Sequence, residues 1–189
     1  MYCFQRLKRK NRKLKMSRAH GLFLVLVLLA SGSYAQASFS WAEKKDFQWQ
    51  DFTGFPDDSS PFAANVNTGV SHRFRIDSTG RLVKGSSTIT AYFYPKLSWY
   101  KPKQVNAGLL RHERLHFTIT ELHARIFRKQ VAHFKFTTNA RIEIKSIYRK
   151  IEQKRQKMQT ELDRQTQHGL LDEKELIWKE KVNRLLAKY

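Results

Sequence analysis

The spacing of apolar and polar residues changes character near residue 104. Before that point it has a period of two. Phe47 and Trp49 alternate with polar neighbours, and Val70, His72, Phe74 and Ile76 alternate with Ser71, Arg73 and Arg75. Ile89, Ala91 and Phe93 alternate with Thr88, Thr90, Tyr92 and Tyr94. Side chains along a strand point to opposite faces in turn, so each stretch predicts a half-buried strand. Asp77-Ser78-Thr79-Gly80 is a turn signal between two of them, and the stretch from Gly54 to Pro61 has a loop composition. His72 falls on the apolar face of its strand and reads as a core histidine.

Beyond residue 104 the period becomes helical. Asn106 is a suitable N-cap for a helix running to about residue 132. Thr137-Thr138-Asn139 can cap a second helix from Ala140 to about Gln167, which Gly169 would close in the left-handed conformation. Asp172 with Glu175 resembles a capping box for a last helix that carries Leu176, Trp178, Val182 and Leu186. The second helix is mostly charged, with one apolar stripe. Its basic run Lys154-Arg155-Gln156-Lys157 reads as a solvated face. Strands come first and helices after, with no repeat and no low-complexity linker. The expected fold is α+β: one domain with a small antiparallel sheet followed by three helices.

The first forty residues contain no acidic side chain. Eight basic residues between Arg6 and Arg18 precede the apolar run from Gly21 to Ala30, and an Ala-x-Ala pattern follows at Ala35 and Ala37. This order is that of a secretory signal peptide over residues 1–37, with Met16 as an alternative start. The run is short for a membrane span, which needs about 20 apolar residues. The expected mature chain, residues 38–189, has no membrane-spanning helix. Its formal charge is the +20 of the whole chain less those eight cations, or +12. Residence in the periplasm or outside the cell removes nucleic acid as a partner, and an anionic envelope surface becomes the natural electrostatic one. The single cysteine, Cys3, lies in the segment expected to be removed, so the mature chain has neither a disulfide nor a thiolate.

Residues 112–116 read His-Glu-Arg-Leu-His, an HExxH motif on the first predicted helix. His112 and His116 then lie about 40° apart on one face and one turn apart along it. Two imidazole nitrogens so placed can reach one zinc ion at about 2.0–2.1 Å. Glu113 stands beside them as the general base for a water that the metal acidifies. A catalytic zinc needs a third protein ligand. His123 lies about 10.5 Å further along the helix than His116, Glu121 points to the opposite face, and His133 is farther still. The favoured third ligand is His168, at the end of a second helix folded back on the first. Asp163 is the alternative, as the ligand itself or as an acceptor that orients an imidazole.

Leu109 to Phe117, with Glu121-Leu122 and Ala124-Arg125, resembles a bacterial family called domain of unknown function 922. Asp51-Phe52 with Gly54, Ala63-Ala64, Ser98-Trp99, the Asp163, Thr166, His168 spacing and Trp178 belong to the same resemblance. The family is described as predicted secreted zinc-dependent proteases of the zincin type. The resemblance implies a zincin-like fold, with the HExxH helix at the active site. It also implies that the segment Thr88 to Tyr94 is the edge strand along which substrate adds. Tyr92, Tyr94, Tyr100 and Tyr148 are candidates for stabilising an oxyanion. The combined expectation is an exported zinc metallopeptidase acting on a peptide or cell-envelope substrate. Two rivals stand beside it: a non-catalytic, basic envelope-binding protein on the same scaffold, and a module in which zinc is purely structural.

Overall fold

The computed structural model describes residues 38–189, so the expected signal segment with Cys3 and Met16 lies outside the described residues. Two of the period-two stretches pair as strands. β1 (Phe39–Ser40), β3 (Thr68–Arg73) and β4 (Thr88–Phe93) form an antiparallel sheet in the order β1-β4-β3, while β2 (Ala64–Asn65) pairs with β5 (Trp99–Tyr100). Three helices follow: α1 (Ala107–His133), α2 (Ala140–Thr166) and α3 (Asp172–Leu186). The register Val70↔Ala91 places alternate residues of both strands on one face, where Val70, Ile89, Ala91 and Phe93 are buried.

α1 lies between two apolar layers. Phe117, Ala124, Phe127 and Val131 pack on the sheet with Phe39, Phe47 and Phe52, and Ile144 and Ile151 of α2 close the same cluster. Leu115 and Ile119 pack instead against Leu162 of α2 and Trp178 and Val182 of α3. Phe47, Phe93, Phe117 and Phe127 are wholly buried. Each such side chain contributes about 1.5–3 kcal/mol by leaving water. The indole of Trp178 donates to Gln165 at 2.8 Å and ties α3 to the end of α2.

Several sequence expectations change. No strand forms around Phe47 and Trp49. Trp49–Asp51 is a 3-10 turn, and Phe47 plugs the core from a loop, because aromatic partners reward its burial without a ladder. The second strand ends at Arg73, and Ile76 meets Leu82 only through an isolated bridge. His72 is exposed, not a core residue. Its ring rests on Tyr148 at a centroid distance of 4.5 Å, and this partial burial lowers its pKa. Asn106 caps α1 as expected, accepting from the Leu109 amide. At α2 the Asn139 side chain makes no cap bond, and Glu143 reaches back to Thr137. The capping box at Asp172 and Glu175 does not form, because both carboxylates are drawn to partners on α1. Among the described residues no helix is long and apolar enough to cross a membrane.

Candidate metal centre

α2 folds back along α1, so Asp163 in its penultimate turn meets the first half of α1. His112 and His116, one turn apart, present their rings nearly at right angles, with an interplanar angle of 89°. Their Nε2 atoms are 3.1 Å apart, and Asp163 Oδ1 lies 3.1 Å from the first and 2.9 Å from the second. These three atoms form a nearly equilateral triangle that can hold a metal ion. For metal–ligand bonds of about 2.0 Å, tetrahedral ligands stand roughly 3.3 Å apart. The triangle therefore needs an adjustment of only a few tenths of an ångström.

The other nitrogen of His112 is engaged too. Nδ1 lies 2.5 Å from Oε1 of Glu175, in the first turns of α3. Beside the same imidazole, Gly169 sits so close that a Cβ there would stand 2.9 Å from His112 Cβ. Burial opposes protonation of His112. The adjacent carboxylates of Asp163, Glu175 and Glu113 outweigh that penalty, and its pKa rises to about 9. Burial likewise works against the charged form of Asp163, yet hydrogen bonds from the two histidines hold its carboxyl well below the usual range. Glu113 moves the other way. It is buried, and desolvation raises its pKa despite the nearby histidines and a backbone hydrogen bond from Val66.

A cavity of about 760 Å³ opens over the triangle. Its walls are the segment from Pro61 to Thr68, the HExxH turn, and the face of α2 from Arg155 to Asp163. Arg155, the one guanidinium there, is itself buried and ion-paired with Glu152. Glu113 lines this cavity together with both histidines.

His112, Glu113 and His116 thus share one site, and Asp163 joins the two histidines. His168 lines the cavity but stands outside the triangle. Its Nδ1 is 4.0 Å from Asp163 Oδ1, about half of its side chain is exposed, and its ring rests against Phe62. The cause lies in the backbone. α2 ends at Thr166, and Gln167, His168 and Gly169 all have positive φ, so the chain turns away from the helix before it reaches the histidine. His123 Nδ1 donates to the Ile119 carbonyl and His133 Nδ1 to that of Lys129, while Glu121 is paired with Arg125 and Arg128. None of the four tyrosines lines the cavity. The segment Thr88 to Tyr94 is not an edge. β4 is the central strand, paired with β3 throughout and with β1 at Tyr92 and Phe93, so only its first residues are unpaired on the β1 side. The residue missed in the sequence is Glu175. Its spacing from Asp172 suggested a cap, and only the packing of α3 reveals its partner.

The sequence profile of a family described as "Bacterial protein of unknown function (DUF922)" matches residues 56–169. No curated protein and no solved structure matches the chain.

Proposed function

The chain belongs to the bacterial DUF922 family, whose function is unknown, and from its His-His-Asp group we propose that it is an exported zinc-dependent hydrolase, in the first place a metallopeptidase. One observation carries the metal. A neutral imidazole has one N–H and one lone pair. At His112 the N–H belongs on Nδ1, facing the Glu175 carboxylate at 2.5 Å. The Nε2 lone pair then faces Asp163 Oδ1 at 3.1 Å and His116 Nε2 at 3.1 Å. His116 Nε2 can carry one proton into this group, and the remaining lone pairs converge on a point that a metal ion would suit. Two imidazoles and a carboxylate suit zinc, and three ligands leave a fourth position for water.

In this reading zinc supplies the Lewis acid that acidifies the water and polarises the scissile carbonyl. Glu113 receives the water's proton, a task favoured by a carboxylate whose pKa is raised by burial. Asp163, in place of His168, completes the ligand set. His168, exposed at the cavity wall, is one of the polar side chains there that could meet the oxygen on which charge develops. Export rests on the basic, apolar and small-residue order of residues 1–37. The decisive variant is Glu113→Gln. It should retain zinc and fold but lose hydrolysis of a library of peptides and cell-wall fragments, because an amide cannot take the proton. A zinc-loaded wild type inactive on the whole library, or a Glu113→Gln variant as active as wild type, would refute the hydrolase.

The basic surface favours one other reading, non-catalytic attachment to an anionic envelope polymer. Lys145, Lys150, Lys154 and Lys157 are all exposed along α2. That reading inherits the protein if the hydrolase fails its test.

A further inference from the structure

Glu175 stands on α3, beyond the stretch that the family profile covers. It is nevertheless the residue in closest contact with the candidate metal centre from behind. We propose that Glu175 is a positioning residue: it accepts the Nδ1–H of His112, fixes the tautomer that leaves Nε2 free for the metal, and thereby makes α3 an integral part of the site. This rests on the metal-binding reading above.

Three independent features converge on the His112 ring. Glu175 holds Nδ1 at 2.5 Å, and the ring itself is only 2% exposed. Gly169 lies so close to the ring that an added Cβ would stand 2.9 Å from His112 Cβ and 3.0 Å from its Cγ. The carboxylate is held in place by the docking of α3, because Trp178, one helical turn beyond Glu175, is buried against Leu115, Ile119 and Leu162 and bonded to Gln165. A flexible surface glutamate would lose side-chain freedom on making such a bond. This one sits in the first turns of a packed helix with its side chain 11% exposed, so the ordering is done by the core. Among the described residues His116 has no carboxylate behind it in the same way. Its Nε2 faces the triangle, and the sequence supplies the second carboxylate to His112 alone. A metal-binding imidazole is made a better donor and held in orientation when its other nitrogen gives its hydrogen to a carboxylate.

A contact that only anchored α3 to α1 would predict different measurements. With the full chain and a chromophoric chelator as competitor, Glu175→Ala should bind zinc about 10–100-fold more weakly than wild type. Glu175→Gln, whose amide oxygen still accepts from Nδ1–H, should keep most of the affinity. A folded Glu175→Ala protein that loses thermal stability when metal-free yet binds zinc as tightly as wild type would overturn the proposal. Should that variant not fold, nitrogen NMR of the cadmium-substituted wild type decides. Coupling of cadmium to Nε2 of His112, with Nδ1 protonated, is expected. Coupling to Nδ1, or to neither nitrogen, would overturn it. A wild type that binds neither zinc nor cadmium fails at the metal reading itself, before Glu175 is reached.

Discussion

Asp163 and His168 offer the sharpest test of the candidate centre, because the sequence favours one and the geometry favours the other. Asp163 Oδ1 completes a triangle with sides of 3.1, 3.1 and 2.9 Å, whereas His168 Nδ1 lies 4.0 Å from that same oxygen with its ring on Phe62. His112, His116 and Asp163 would be the three residues holding a zinc ion, which would leave a further position for water. Structural zinc sites bind with about 10–16 kcal/mol shared over four ligands, or roughly 3–4 kcal/mol each. Removing Asp163 as a ligand should then weaken zinc by about two to three powers of ten. His168→Ala should change the affinity by less than about threefold, which is under 1 kcal/mol. Competition titration against a chromophoric chelator measures both, with circular dichroism to confirm that each variant folds. Equal losses for Asp163→Ala and His168→Ala would refute the assignment, as would an Asp163→Ala variant that binds zinc like the wild type.

Two further outcomes follow from the same geometry. His112 has a pKa raised from 6.5 to about 9 in the folded, metal-free protein. Its stabilising contribution is complete below pH 6.5 and is lost as the pH rises through about 9. The urea midpoint of chelator-treated protein should therefore fall across that window, while zinc, replacing the proton, should flatten the curve. A metal-free midpoint that stays constant from neutral pH upwards would contradict the account of His112. Gly169→Ala should destabilise the fold by about 1–3 kcal/mol, since Gly169 has a φ of 82° and an added Cβ would meet His112 Cβ at 2.9 Å. The variant should also bind zinc more weakly, and unchanged denaturation and affinity would show that the contact is relaxed at no cost.

The residues that local sequence could place are those whose geometry is set by a single element. HExxH on a helix determines that His112 and His116 share a face, whatever surrounds them, because an intervening turn of helix admits no alternative. Period-two spacing likewise located β3 and β4, and Asn106 located the start of α1. Where a residue answers to a distant partner, the sequence misled. Glu175 matches a capping box by spacing, but the packing of Trp178 and Val182 against α1 carries it to His112, and a buried imidazole is a stronger attraction than a solvated backbone amide. Asp163 and His168 are near neighbours in the chain and equivalent as ligands on paper. The end of α2 at Thr166 and the three positive φ values after it turn one side chain towards the histidines and the other to the cavity wall. Strand order is hidden for the same reason. Nothing local to Thr88–Phe93 shows that β1, nearly fifty residues earlier, will occupy part of its far edge. The sequence by itself determined that His112, Glu113 and His116 stand together on one helix and that strands precede helices. The third corner of the triangle and the carboxylate behind His112 were decided by tertiary packing, because each depends on how separate helices dock and not on the residues adjacent in the chain.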